Sequence, residues 1–303
     1  MLILEYDSTE IVPGGAGNAA NNVAALGGHV ALVAAMGRDD AGTRVVTTLH
    51  RRVDPRFLVR RNGISTVVKT RILAGGVHSA KQQIVRIDRA VPAAADVRAR
   101  QAIEKAALSA AHQADAVLVS DYGSGIVTPA LVRKIAGQLR RAGHPIPILI
   151  DSRYRLLEYT GLTMSTPNQS EVEQALGIRI GDNLRALERA GRHILERTRM
   201  QAILITRGSR GMALFTADAP TVHIPISGTE FIVDVTGAGD TVVATVALTL
   251  AAGGTFEAAA RLANYAGGLV VMKRGTATVS ADELRAVAAV RRGGPSGPPG
   301  RHG

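Results

Sequence analysis

Phe231-Ile-Val-Asp-Val-Thr-Gly-Ala-Gly-Asp240, followed by the apolar run from Thr241 to Ala252, decides the fold. A β-branched strand stops at Val235 and a helical pattern begins near Asp240. Between them, Thr236-Gly237-Ala238-Gly239 has too little side chain to keep a ligand off the backbone. Free N–H groups at the start of a helix then offer an anion site. Asp240 sets a carboxylate beside that site, where repulsion makes it a poor permanent phosphate ligand. It fits better as a base next to a transferring phosphoryl group. The same letters also suit an ordinary glycine-rich turn with a capping Asp.

Upstream, short apolar runs alternate with amphipathic stretches. Ala116–Ser120, Ile146–Ile150 and Ala202–Thr206 read as buried strands, Pro129–Arg141 and Leu184–Arg197 as helices. This alternation predicts an α/β fold, with a mainly parallel sheet covered by helices on both faces. Ligands of such sheets sit beyond the carboxyl ends of the strands, where Asp121, Asp151, Asn168, Arg207 and the Thr236–Asp240 loop should converge. Leu2–Val12 and Thr66–Asp88, the latter broken at Gly75-Gly76, stand outside the alternation. Both are expected to form a small β-sheet lid over the crevice. The Gly/Pro-rich tail after residue 290 is expected to be disordered.

Composition bounds the chemistry. A chain of 303 residues, 46% hydrophobic, can bury a large α/β core. It has no Cys, which excludes disulfides, thiolate catalysis and Cys-based zinc sites. No apolar run is long enough to cross a membrane and no signal pattern precedes Gly14, so a cytoplasmic protein is expected. The net charge of +11 comes mostly from scattered Arg, with only 3% aromatics to stack bases. A solvated basic surface suits phosphorylated ligands better than nucleic acid. The eight histidines show no metal-ligand spacing.

Five motifs occur in order: Gly14-Gly-Ala-Gly-Asn18 with Asn22, Ser120-Asp-Tyr122, Thr166-Pro-Asn-Gln-Ser-Glu171, Thr206-Arg-Gly-Ser-Arg-Gly211, and Asp234-Val-Thr-Gly-Ala-Gly-Asp240. Together they resemble the ribokinase-like sugar kinases of the phosphofructokinase-B type. Within that family the likeness is greatest to the D-glycero-D-manno-heptose 7-phosphate kinases, through Thr166–Glu171, Asp234–Thr241 and Gly275-Thr-Ala-Thr-Val-Ser280.

The resemblance covers about residues 1–290 and implies a three-layer αβα kinase domain with a small β lid. It implies ATP and Mg²⁺ as partners of the reaction, room for a monovalent cation, and dimers formed through the lid. Asp240 would be the general base, and the amides of Gly237, Ala238 and Gly239 would stabilise charge on the transferring phosphoryl. Asn168 and Glu171 would hold Mg²⁺ through water, although the pair also suits a helix cap. Thr206, Gly208 and Gly211 would run along the nucleotide, with Asn264 and Gly267 near its base. Gly14, Gly15, Asn18 and Asp121 would meet the sugar. Lys69, Arg71, Arg86 and Arg153 would meet its phosphate, or could serve as a charged edge strand.

The chain also departs from the family. The family's first core strand carries a Gly-Asp…Asp pattern, whereas Met1–Asp7 already resembles lid, so that strand is expected to be missing. Ser124 replaces a Lys, Asp151-Ser-Arg153 replaces Asp-Pro-Lys, and Asn21 replaces an apolar residue. No nucleotidyltransferase module follows residue 290, so a fused bifunctional form is not expected. The alternatives are another sugar kinase acting on a ribose- or fructose-like substrate, and a silent sugar-binding relative. A dinucleotide-dependent oxidoreductase is disfavoured, because no G-x-G-x-x-G follows the first strand.

Overall fold

A computed structural model describes residues 5–75, 82–89, 96–227 and 233–292. The N-terminal part contains α1 (Ala16–Ala25), β1 (Val30–Ala31), β2 (Ala34–Gly37), α2 (Asp40–Thr48), β3 (Val53–Asp54) and β4 (Leu58–Arg61). The hairpin β5 (Val68–Ala74) and β6 (Gln82–Arg89) follows, then α3 (Val97–Ala111), β7 (Val117–Asp121), α4 (Pro129–Arg141) and β8 (Ile148–Ser152). Next come β9 (Met164–Ser165), α5 (Gln169–Leu176), α6 (Leu184–Thr198), β10 (Ala202–Thr206), β11 (Met212–Thr216) and β12 (Ala219–Ile224). Helices α7 (Ala238–Ala251), α8 (Phe256–Val270) and α9 (Ala281–Arg292) close the described chain.

The main sheet has six strands in the order β12-β11-β10-β9-β8-β7. From β7 to β10 the pairing is parallel, and β11 and β12 add antiparallel strands at one edge. Alternate residues therefore face opposite layers. Ile148, Ile150, Ile203 and Ile205 pack with residues of α4 and α6, such as Ile135, Leu139, Leu187 and Ile194. Leu149, Leu204 and Leu214 pack with α7 and α8 through Val243, Val246 and Ala263. Each fully buried Leu or Ile contributes roughly 1.5–3 kcal/mol, so the three layers hold the strand ends firmly. Gly191 on α6 lies where an added Cβ would run into the Phe215 ring at 2.4 Å, which brings that helix close against β11.

The helix termini follow from local chemistry. Thr128 caps α4 and Pro129 opens it; Asn183 caps α6. Helix α7 differs: its N-cap is Gly237 at φ 79, with no side-chain cap, so its first amides are left for a ligand.

The hairpin β5–β6 forms a separate two-stranded sheet. Its register pairs Lys69 with Asp88 and Arg71 with Arg86, and so puts these charges on one face. Thr70, Ile72, Val85 and Ile87 share the other. Of the other expected lid segment, Leu2–Val12, the described residues 5–12 carry no helix or strand. Tyr6 bonds locally to Thr9, and Pro13 ends the run without a pairing partner. Residues 2–4, Gly76 and the tail from 293 lie outside the described residues, as do Phe231 and Ile232 of the opening stretch. Among the described residues no strand precedes α1. No helix among them is long and apolar enough to cross a membrane.

Candidate active site

The N-terminus of α7 lies against α1, at the carboxyl ends of the parallel strands. Asp240, in the first turn of α7, is 6% exposed. Asn18 Nδ2 donates to its Oδ2 at 2.6 Å, and the Tyr122 hydroxyl donates to its Oδ1 at 2.8 Å. Burial pushes this carboxyl up from the ordinary range, and the two hydrogen bonds pull it partly back. Asn18 is in turn fixed by Asn22, whose Nδ2 donates to the Asn18 carbonyl at 3.0 Å and to its Oδ1 at 3.2 Å. The Thr241 hydroxyl donates to Asn22 Oδ1 at 2.8 Å and closes the buried network. Such a chain orients one carboxylate with little freedom to reorganise.

The anion loop is braced from below. Asp234 accepts from the Thr236 amide at 2.8 Å and from the Gly275 amide at 3.0 Å. Burial alone would raise Asp234, but these donors and the nearby Arg71 hold it below the ordinary range. The amides of Gly237 and Gly239 have no acceptor among the described residues, whereas Ala238 donates to the Val235 carbonyl at 3.2 Å. Two of the three expected donors are therefore free, and the third is committed to the turn.

A second group gathers around Asp151, at the end of β8 beside β7 and β9. Its carboxyl is pushed up to about 7, first by burial and then by the charges of Glu171, Asp240 and Asp121. It takes no hydrogen bond among the described residues, so its charge is left uncompensated. Glu171 is also raised by burial, against the Asn168 amide and Arg153. Asn168 and Glu171 form a reciprocal capping box at α5, with both bonds at 2.9 Å. One Glu171 oxygen is thus spent on the helix start. An uncompensated carboxylate in the field of three others suits a hard dication. Among the described residues no group of three His, Cys, Asp or Glu side chains is arranged to hold a metal ion.

Next to this lies an open cavity of about 660 Å³ lined by Asn168, Thr206, Gly208, Arg179, Arg207 and Arg210. Asn168 pairs with Thr206 across an isolated parallel bridge, which sets one expected nucleotide residue beside another. Four expected nucleotide residues, Glu171, Gly211, Asn264 and Gly267, do not line this cavity. Gly211 approaches the next strand so closely that a Cβ would sit 2.0 Å from the Ile224 carbonyl oxygen, so no side chain fits there. Asn264 is buried on α8 and donates to the Pro225 carbonyl at 2.8 Å, and Gly267 packs against Val242.

Asp121 also turns away from the crevice. It is 2% exposed and accepts from Tyr159 at 2.6 Å, Ser152 at 3.1 Å and the Gly123 amide at 2.9 Å. It locks the strand ends instead of offering an oxygen to a sugar. Gly14 and Gly15 form the turn into α1, with the Tyr122 ring 3.4 Å from where a Gly15 Cβ would be. Lys69 lies over the Tyr122 ring at 5.7 Å from its centroid, and Arg71 acts on Asp234, so the charged face of β5 looks into the site. Arg86 is paired with Asp88 at 2.9 Å on that face. Arg153 stacks over Tyr154 at 5.7 Å and acts on Glu171, at the metal side of the crevice.

Tyr122 and Asp151 are the residues that sequence reasoning left without a role. Their signals were position at a predicted strand end and membership of Ser120-Asp-Tyr122 and Asp151-Ser-Arg153, and neither signal tells which side chain faces the crevice.

Residues 2–283 match the pfkB family carbohydrate kinase. The chain is 41% identical over 296 residues to the bifunctional protein HldE of Caulobacter vibrioides, covering 97% of this chain and 59% of that protein. It is 37% identical over 304 residues to the HldE of Azorhizobium caulinodans, covering 98% of this chain and 60% of the relative. It thus spans about three fifths of the length of these curated relatives. In fold it is similar to phosphofructokinase-2 from Escherichia coli in complex with potassium, at TM-score 0.75 and 17% identity over 96% of this chain and 93% of that one. Ribokinase from Arabidopsis thaliana, complexed with ribose and ATP, superposes at TM-score 0.74 and 19% identity over 94% and 90%. The chain belongs to the pfkB family of carbohydrate kinases.

Proposed function

We propose that this pfkB-family chain transfers the γ-phosphoryl group of ATP to the anomeric hydroxyl of D-glycero-β-D-manno-heptose 7-phosphate, giving the 1,7-bisphosphate and ADP. The observation that carries this reading is the placement of Asp240, buried and held by Asn18, beside the free amides of Gly237 and Gly239. Asp240 takes the proton as the acceptor oxygen bonds to the γ-phosphorus and the bond to the ADP oxygen breaks. Gly237 and Gly239 amides meet the charge growing on the phosphoryl oxygens. Asp151 and Glu171 are the residues that would hold Mg²⁺, which when bound neutralises phosphate charge. The cavity beside Thr206 and Gly208 takes the nucleotide, with Arg179, Arg207 and Arg210 at hand for its charge.

Lys69 and Arg71 support an acceptor that itself bears a phosphate, because both lie on the crevice face of β5. The subfamily resemblance and the HldE relatives favour the heptose among such acceptors, within the cytoplasm where ATP is available. The opposite face of the hairpin exposes Val85 and Ile87 and suits a second copy of this chain. Sedimentation of wild type against Ile87→Asp checks that dimer: wild type should run as the heavier species.

The test of function is ADP release by purified protein with Mg²⁺ and ATP across heptose 7-phosphate, fructose 6-phosphate and ribose. Turnover with the heptose phosphate alone is expected. Turnover with another sugar instead overturns the substrate and keeps the chemistry; silence with all of them overturns both.

A further inference from the structure

Tyr122 takes no part in the steps above, yet it touches the base. Its hydroxyl donates to Asp240 Oδ1 at 2.8 Å, on the oxygen that Asn18 does not hold. The residue is 39% exposed, lying between Lys69 of the lid strand and the Gly15 turn. On its N-terminal side, Asp121 is locked by Ser152 and Tyr159. On its C-terminal side, Gly123 at φ 76 begins a turn. The main chain is therefore anchored while the ring stands at the mouth of the crevice, and its hydroxyl holds the one Asp240 oxygen that Asn18 leaves open.

Resting on the kinase reading, we propose that Tyr122 is a positioning residue that surrenders its hydrogen bond on Asp240 to the acceptor hydroxyl. In the free enzyme it completes the set of donors that aims the carboxylate. On sugar binding the acceptor oxygen replaces the phenol at Oδ1, and the phenol keeps its proton throughout. A carboxylate that accepts two charge-assisted bonds is stabilised in its ionised form and is a weaker base. When the acceptor arrives its own hydroxyl takes over that bond, so the proton to be taken lies on Oδ1 and the phenol no longer competes for it. Burial and the neighbouring Asp240 charge push the Tyr122 phenol far up, so it remains a donor over the working range. The ring contact with Lys69 ties this exchange to the strand that meets the sugar's phosphate.

Tyr122→Phe keeps the ring and its contact with Lys69 and removes only the donor. The measurement is the pH dependence of kcat/KM for the acceptor and of kcat, at saturating MgATP, for wild type and variant. The first reports enzyme without acceptor and the second the complex. Removing a donor to the carboxylate raises its pKa in the free enzyme, so the acid limb of kcat/KM should move up by about one pH unit. The acid limb of kcat should stay where it is, because the phenol has already left. Ionisation of the sugar phosphate acts on both proteins alike, and an unchanged melting temperature verifies the fold. Equal movement of both limbs means that the phenol never leaves, and overturns the proposal. No movement in either means that the bond carries nothing, with the same result. Wild-type silence with every sugar defeats this proposal together with the kinase reading, whereas an active wild type with unmoved limbs defeats this proposal alone.

Discussion

Asn18 and Asp240 stand 222 positions apart, and the Asn18 amide donates to Asp240 Oδ2 across 2.6 Å. The bond joins the first helix of the described chain to the first turn of α7 and fixes which way the base points. Asp240→Asn keeps the shape and a carbonyl oxygen to accept from Asn18, but cannot take a proton. It should lower kcat by about 10²–10⁴ and leave nucleotide affinity unchanged by calorimetry. Asn18→Ala should lower kcat less, and also lower the melting temperature, because Asn22 loses one acceptor.

Asp151 predicts a pH effect on stability. Its folded carboxyl titrates near 7 instead of the ordinary 3.8. Between those values the folded protein holds a proton that the unfolded chain has lost, so stability falls as pH rises through that window. Asp151→Asn removes the deficit. At pH 8 the variant should melt roughly 2–4 °C above wild type, and near pH 4 the two should converge. Millimolar Mg²⁺ at pH 8 should raise wild type more than the variant, since a dication rewards the ionised carboxylate. A gap at pH 4 as large as at pH 8 would rule the carboxyl out as its cause.

Gly237 sits at φ 79, and a Cβ there would come 2.6 Å from Asn18 Nδ2. Gly237→Ala therefore meets both backbone strain and a collision with the residue that holds the base. It should destabilise by about 1–3 kcal/mol in urea melts and depress kcat well beyond what the stability loss explains. Gly191→Ala offers the contrast, since its Cβ meets the Phe215 ring in the core, away from the site. It should lower stability similarly while the surviving folded enzyme turns over normally.

The lid cations should separate binding from chemistry. Lys69→Ala and Arg71→Ala are expected to raise KM for a phosphorylated acceptor by about tenfold, the worth of one charge-assisted contact, with KM for ATP unchanged. Arg86→Ala should do less, because Asp88 already engages that guanidinium. Equal effects on both substrates would place the hairpin's charges over the nucleotide instead.

Much of this architecture is legible in the chain, and the reasons differ from element to element. The helix Pro129–Arg141 and the strand Ala202–Thr206 coincide with the sequence reading, because capping, proline placement and apolar runs act locally. The anion loop is legible because glycine spacing and the following apolar run leave few other structures. Roles that depend on which way a side chain turns are not legible. Asp121 and Tyr122 are neighbours, and only tertiary packing sends one inward to Tyr159 and the other to Asp240. Asn264 and Gly267 match a family region, yet the packing around α8 occupies both. Asp151 is legible as a residue at a strand end, but its shifted carboxyl is not, since that arises from groups far away in sequence. Residues 5–14 look extended in sequence, but a strand exists only when another strand pairs with it.

Helix α7 is buried from Asp240 through Ala247 without a break. Thr245 and Thr249 turn their hydroxyls back onto the carbonyls four residues before, so these two polar side chains need no partner outside the helix. With no solvent face along that stretch, a larger or charged side chain there would have to displace packed neighbours. New substrates in such a scaffold must therefore be acquired at its margins, in the hairpin and the turns at the strand ends. One chemistry can then pass among many sugars while its centre stays the same.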